Sequence, residues 1–422
     1  MAVTIATEDL AYQRRAAIIL AIGTFLEFFD VWLYIHMSHI LNSLFFPASM
    51  KGSWILANLS LCTTFAFRPF GALLFGWIGD TCGRKFTFIL TNIVMSGTCA
   101  VMTILPEYSV IGVAASFGML SCRVVQGITS SIEVIGARIF LLELIKPPRQ
   151  YVFVSTLTLS CTLGGLFALV VCAAVVNLGI NWRYAFAIGT MIAIAGSVAR
   201  RALREAPDFL QAKTAVKKHS DSAKVKTSIS KKSIFYMMLM NLASPVVMYV
   251  LYIHCPNVFK AKFGFVAKDI INHNLLLTCI DLFVDFAVTM IVIKIHPLKI
   301  VQFRSRAFLL VALLMPFMLQ YASSAYIVLL AQALMIMCDL RQTPATPIFY
   351  SHFPVLQRFT TVSLIFAISK GISFPLGAFS MQPLTEKFGY YSIWIVAIPV
   401  WACFLTGFNY FNKLERDKLI RN

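Results

Sequence analysis

Charged side chains are scarce: they make up 13% of the 422 residues, and the 18 Asp and Glu are outnumbered two to one by the 36 Lys and Arg. Together with a hydrophobic content of 59%, this excludes an ordinary soluble domain, in which about a quarter of the residues are charged. Strand-like alternation with a period of two is lacking, which excludes a transmembrane β-barrel. The ten Cys form no C-x-x-C pair and no Cys/His spacing of a metal site. Cys62, Cys99, Cys122, Cys161, Cys172 and Cys403 fall inside apolar stretches and read as small polarizable core residues. No nucleophile/base set or metal cluster stands out, so the expectation is a protein that is not an enzyme and carries neither cofactor nor metal. The N-terminus, Met1 to Asp9, has no basic segment followed by an apolar core and a small-residue cleavage site, so the first apolar stretch is expected to act as its own insertion signal.

Long apolar runs are abundant instead. Crossing a bilayer takes roughly 20 apolar residues per helix, and twelve stretches approach that length: about 17–40, 54–78, 86–105, 110–142, 151–177, 182–203, 234–256, 270–293, 307–321, 325–351, 359–383 and 388–411. The fold class is therefore all-α and membrane-spanning. Most of the bases lie in the N-terminus, the C-terminus and the loops on one side, so the net charge of +18 reports orientation and contact with anionic lipid, with both termini cytoplasmic. Nucleic acid is not an expected partner. The longest hydrophilic run, Arg200 to Ser233, includes Lys217, Lys218, Asp221, Lys224 and Lys226 and divides the stretches six and six. It sets the expected organisation: a first bundle over 1–203, a basic linker over 204–233 and a second bundle over 234–422, one chain carrying both halves and needing no second copy.

Charges at membrane depth cost at least ~2.5–3.5 kcal/mol each, so they pair or line a cavity. In the first stretch Glu27, Asp30 and Tyr34 share one helical face. In the fourth, Arg123, Gln126, Gly127, Ser130 and Glu133 form a polar stripe. Arg123 stands ~22 Å and Asp30 ~21 Å along their helices from the inner boundary. The depths predict an Asp30–Arg123 pair, with Glu27 the competing partner; such a pair either ties two helices together or couples a proton to a substrate anion. In the second half, Asp281 and Asp285 are four apart in the eighth stretch, Asp339 and Arg341 lie in the tenth, and Lys370 in the eleventh. Two apart on one helix, Asp339 and Arg341 cannot face each other, so each is expected to find a partner elsewhere. Lys370 reads as a tie to an aspartate, as a cavity cation for a substrate carboxylate, or as a snorkelling base.

The gap between the second and third stretches is the heptapeptide Gly79-Asp80-Thr81-Cys82-Gly83-Arg84-Lys85. It resembles the signature turn of the major facilitator superfamily. Three further segments resemble the metabolite:proton symporter family of proline/betaine and α-ketoglutarate permeases: Glu27 to Tyr34, Phe67 to Gly76, and Phe353-Pro354 with Arg358-Phe359-Thr360. Arg123, Gln126, Gly127 and Glu133 match that family's helix-four motif, although Ser131 and Ile132 replace its paired glycines. The second half has no copy of the turn near Lys294 to Arg306, and His352 stands where the family has an acid. The resemblance implies two six-helix halves, alternating access, a bacterial inner-membrane location and proton-coupled uptake of a small zwitterionic or anionic organic solute. An exporter or exchanger of the same fold, or a transporter-derived receptor, are the alternatives. From the buried charges themselves, Asp30 or Glu27 is expected to carry the coupling proton. Tyr34, Arg123, Gln126, Glu133, Asp339, Arg341 and Lys370 serve the substrate, and Gly79, Asp80, Gly83, Arg84 and Lys85 form a cytoplasmic gate.

Overall fold

The computed structural model describes residues 2–47, 50, 52–218 and 229–421. The middle of the expected linker, 219–228, with Asp221, Lys224 and Lys226, lies outside the described residues, as do the side chains of Cys62, Ser131, Lys217 and Lys218. Apolar sequence in lipid has no water to satisfy its backbone, and a helix pairs every N–H and C=O within one segment. The described chain accordingly runs as helices: α1 (Ala2–Phe45), α2 (Ser53–Ala66), α3 (Arg68–Thr81), α4 (Arg84–Ile104), α5 (Tyr108–Ile111), α6 (Val113–Leu144), α7 (Arg149–Leu178), α8 (Arg183–Arg200) and α9 (Pro207–Lys218). The second half continues with α10 (Lys231–Asn241), α11 (Ala243–Tyr249), α12 (Cys255–Phe263), α13 (Ala267–Ile291), α14 (Pro297–Gln320), α15 (Ala325–Met337), α16 (Thr346–Ser351), α17 (Val355–Phe388) and α18 (Ser392–Arg421).

Among the described residues, eight helical segments are long and apolar enough to cross a membrane, the last a continuous run over Val355–Lys418. Beside proline, three of the expected stretches depart from a single straight helix. The second breaks at Phe67, because Pro69 has no N–H to give and its ring crowds the carbonyl four residues back. The seventh carries a π turn over Val250–His254 immediately before Pro256, where the ladder loses a donor. The tenth unwinds between Met337 and Thr346, a gap that holds Pro344 and ends at Pro347 in the first turn of α16. The ninth is longer than its apolar core of 307–321: α14 begins at Pro297 and takes in Lys299, Arg304 and Arg306.

Contacts divide the chain into two compact units: residues 1–227 with 353–367, and residues 228–352 with 368–422. In the first, α1 lies along α7 and touches α6 and α8, α4 packs on α6 and α8, and α2 and α3 pack on α6. Two of these approaches leave no room for a side chain. A Cβ at Gly71 would run into the Ile128 carbonyl, and one at Gly164 into the Phe25 carbonyl. The unit's core is aromatic and sulfur-rich, with Phe29, Tyr34, Phe45, Met95, Met119, Trp182 and Phe186 all buried. In the second unit, α18 packs on α10, α11 and α14, while α15 packs on α13 and α14.

Candidate functional site

A buried polar cluster forms where α1, α2, α3 and α6 meet. Helical spacing puts Glu27, Asp30 and Tyr34 of α1 on the face turned to α6, which presents Arg123 and Gln126 one turn apart. Arg123 Nη1 lies 3.1 Å from Asp30 Oδ2, the pairing expected from depth. Gln126 braces both partners, donating to Asp30 Oδ1 at 3.0 Å and accepting from Arg123 Nη1 at 2.7 Å. Arg123 also donates to the Thr64 hydroxyl at 2.8 Å, and its guanidinium lies 3.9 Å over the Tyr34 ring. The Tyr34 hydroxyl bonds the Ser60 hydroxyl. Glu27, the competing partner, is taken by Arg68 of α3 at 3.4 Å. The cluster thus holds two acids and two bases in matched pairs, and all four side chains are buried.

Glu133 does not join it. Ten residues further along α6, or ~15 Å, it receives Arg200 of α8 at 2.5 and 2.8 Å and the Thr91 hydroxyl at 2.8 Å. Ser60, Thr64 and Arg68 were not singled out as site residues from sequence. Their spacing of four was the available signal, and the break at Phe67 keeps it close to one face.

The heptapeptide turn builds a second network. Gly83 has φ 117° and ψ 160°, a conformation open in practice to glycine alone, and a Cβ there would collide with the Glu205 carboxylate. Glu205 accepts from the backbone N–H groups of Arg84 at 2.9 Å and Lys85 at 3.2 Å, the orphan donors at the start of α4. Arg84 is fully buried. It bonds the Gly79 carbonyl, Asp80 at 3.0 Å, both oxygens of Glu143 at 3.2 Å and the Val355 carbonyl at 2.7 Å. Arg358 reaches Glu143 at 3.1 Å. Asp80 accepts from the Phe359 N–H at 3.3 Å and from the Thr360 N–H and hydroxyl at 2.8 and 2.6 Å. Asp80 and Arg84 therefore address the donor and the acceptor of one i,i+4 backbone pair at the start of α17. Burial raises the Asp80 carboxyl above its usual range, while the Arg84 charge and the Thr360 and Phe359 donors pull it down. Lys85 enters this network through its backbone, and Glu143 and Glu205 are the members that sequence reading missed.

The second unit has one concentrated polar cluster among the described residues. Arg341 donates to Asp281 at 2.8 Å, to Asp285 at 3.0 and 3.1 Å, and to Asp339 at 2.6 Å. The Asp339–Arg341 contact corrects the expectation that the two cannot meet. They lie in the unwound stretch between α15 and α16, where residues two apart are not held on opposite sides of a helix. Arg304 of α14 caps the end of α15, donating to the Met337 and Ile336 carbonyls at 3.0 Å each. Lys370 stands half-buried on α17.

Comparison with known proteins adds three findings. The model of the family described as sugar (and other) transporters matches residues 16–244. The proline/betaine transporter of Salmonella typhimurium is 31% identical over 207 residues, 47% of this chain and 41% of that protein. A putative metabolite transport protein of Haemophilus influenzae is 31% identical over 252 residues, 56% of this chain and 55% of that protein. The chain thus spans about half the length, or less, of these curated relatives. Among solved structures, the proton:xylose symporter XylE bound to 6-bromo-6-deoxy-D-glucose superposes with a TM-score of 0.80 at 14% identity, covering 96% of each chain. The human organic anion transporter MFSD10 gives 0.71 at 16% identity, covering 94% of this chain and 99% of its own. At such identities the likeness is one of fold.

Proposed function

This chain belongs to the sugar (and other) transporter family, with the all-α, membrane-spanning fold of the major facilitator superfamily, and from that premise we propose a proton-coupled importer of a small zwitterionic or anionic organic solute. The observation that carries the proposal is the Asp30–Arg123–Gln126 cluster: a titratable acid and a fixed cation, buried together and matched in charge. Protonation of Asp30 is the step that frees the Arg123 guanidinium for another anion. A carboxylate-bearing solute takes the vacated Nη1 donor, the Thr64-bonded Nη2 holds the guanidinium in place, and Gln126 and Tyr34 orient the solute. Loss of the solute and then of the proton restores the pair. Between these steps Arg123 keeps its bonds to Gln126 and Thr64, so the buried guanidinium is not left without acceptors while it lacks an anion.

Alternating access is to be served by twelve spans in two six-helix halves, 1–203 and 234–422, joined by the basic linker 204–233. Both termini are placed on the cytoplasmic side of a bacterial inner membrane, with a single copy sufficient. The network of Asp80, Gly83, Arg84 and Glu143 serves as the cytoplasmic gate, Gly79 giving the carbonyl that Arg84 binds and Lys85 a backbone donor. Glu133 is assigned to the tie with Arg200 instead of substrate contact. Lys370 is kept as a cation for substrate charge. The 31% identity to a proline/betaine transporter supports the zwitterionic class.

Uptake into proteoliposomes, with and without an inward proton gradient, tests this reading against proline, betaines and dicarboxylates. Accumulation that follows the gradient is the expected result. Accumulation that ignores it overturns the coupling.

A further inference from the structure

Cys99 of α4 reads from the sequence as a packing residue, and it is buried. Its sulfur nevertheless enters the polar cluster of the first unit. Cys99 Sγ lies 3.6 Å from Asp30 Oδ1, within reach of an S–H···O bond, and Gln126 Nε2 lies 3.7 Å from the same sulfur. Gln126 Nε2 also donates to Asp30 Oδ1 at 3.0 Å. Side chains from α1, α4 and α6 thus close a triangle on one carboxylate oxygen, and the other oxygen belongs to Arg123 at 3.1 Å. The register of α4 is held elsewhere. Asn92, seven residues earlier on the same face, donates to the Ala193 carbonyl of α8 at 2.8 Å, and Thr91 donates to Glu133 of α6 at 2.8 Å.

The direction of each bond follows from the chemistry of its atoms. An ionised carboxylate only accepts, so the thiol is the donor to Asp30. The Gln126 oxygen is taken by Arg123 at 2.7 Å, which turns the amide nitrogen to the sulfur, and there the sulfur accepts. A sulfur that donates and accepts at once is a neutral thiol used on both sides. An alanine methyl would fill part of the space and supply neither bond. The titratable groups facing Asp30 come from three helices: Tyr34 of α1, Cys99 of α4, and Arg123 with Cys122 of α6. Arg68 of α3 is paired with Glu27. Against α1, α7 and α8 bring Gly164, Gly165 and Gly189, which approach Phe25, Trp32 and Phe29.

We propose that Cys99 is a positioning residue of the Asp30 site: its thiol donates to the ionised carboxylate and so sets how tightly Asp30 holds a proton. A donor to the charged form of an acid favours that form, so the thiol acts in the same direction as Gln126 and Arg123. Protonation of Asp30 weakens all three bonds together. The thiol's part in coupling rests on the transport reading above, whereas its bond to Asp30 does not.

Infrared spectroscopy of the full-length protein in lipid nanodiscs reads the bond from both ends and needs no transported solute. The Cys99 S–H stretch, identified by its loss in Cys99→Ala, is expected below the frequency of a free thiol. In Asp30→Asn it should move up, because a neutral amide is the weaker acceptor. The Asp30 carboxyl stretch, identified by its loss in Asp30→Asn, is followed against pH. In Cys99→Ala its midpoint is expected to rise by roughly half a unit, about threefold in proton affinity. Cys99→Ser keeps a donor and should bring the midpoint back. An S–H stretch at the free-thiol frequency, or one indifferent to Asp30→Asn, overturns the proposal. So does a carboxyl midpoint unmoved in Cys99→Ala, since a residue that only packs would lower the unfolding midpoint and leave the titration alone. A midpoint raised equally in Cys99→Ser assigns the effect to lost packing and overturns it too. In proteoliposomes with equal pH on both sides, the pH at which counterflow falls by half is expected to follow the same order; a value unmoved in Cys99→Ala removes the thiol from coupling. Absence of counterflow in the wild type with every solute tried counts against the transport reading alone and leaves the infrared result to decide on Cys99.

Discussion

Asp30 and Glu133 are both carboxylates in the first unit, both buried and both bonded to an arginine, yet their surroundings set them apart. Asp30 accepts single bonds from Arg123 and from Gln126, whereas Glu133 is gripped through both oxygens by Arg200 and again by Thr91. Bidentate geometry of this kind is strong and directional, and it suits a fixed tie. Asp30→Asn is therefore expected to abolish gradient-driven accumulation while preserving counterflow, since the amide still accepts from Arg123 but carries no proton. Loss of both activities would place Asp30 in solute binding instead. Glu133→Gln strands Arg200 in the interior and is expected to cost about 3–5 kcal/mol, read as a lower unfolding midpoint in detergent. The double variant Glu133→Gln/Arg200→Gln should cost clearly less than the two single changes summed, because it removes the unpaired charge. At this scale the sequence was informative wherever a charge had one plausible depth. Asp30 and Arg123 were paired from axial position alone, while the choice between Glu27 and Asp30 needed Arg68, whose side chain enters from a helix that bends.

Helix ends, more than helix middles, decide how the elements meet. The α3–α4 turn closes only because Gly83 adopts φ 117° beneath the Glu205 carboxylate. Gly83→Ala meets two separable penalties: backbone strain of about 1–3 kcal/mol and a collision with Glu205. In a Glu205→Ala background the collision disappears and the strain remains, so the drop in unfolding midpoint caused by Gly83→Ala should shrink without vanishing. An undiminished drop would assign the whole cost to the backbone. Most helices were legible as apolar runs because lipid gives the backbone no alternative. Proline placed the exceptions, and its consequences were harder to read. Apolar residues flank the polar segment 339–346 on both sides within 325–351, which masks the unwinding between Met337 and Thr346, and with it the freedom of Asp339 to reach Arg341. Glu143 and Glu205 escaped notice for a different reason: each lies at the end of an element, where an acid is unremarkable until its partner is known.

The whole molecule carries a net charge of +18, most of it on the side assigned to the cytoplasm. Juxtamembrane bases gain about 1 kcal/mol each from an anionic surface, an attraction that fades beyond a Debye length of ~8 Å at physiological salt. Unfolding midpoints are thus expected to be higher in vesicles containing phosphatidylglycerol than in zwitterionic ones, with the difference shrinking in high salt. A difference insensitive to salt would point to specific lipid contacts. Composition sufficed for the all-α, membrane-spanning class because that depends on sums over many residues.

The unwound stretch between α15 and α16 also has a genetic consequence. Were Pro344 and Pro347 replaced and the helix restored, residues 339 and 341 would be turned about 200° apart around its axis, and the Arg341–Asp339 bond would break. The fitness effect of changing either proline therefore depends on whether Asp339 and Arg341 are present, and the reverse holds as well. A combinatorial library over these four positions should show magnitude epistasis: proline loss severe beside the intact ion pair and milder once both charges are gone. Prolines and charges that look like independent features of the sequence are inherited as one unit.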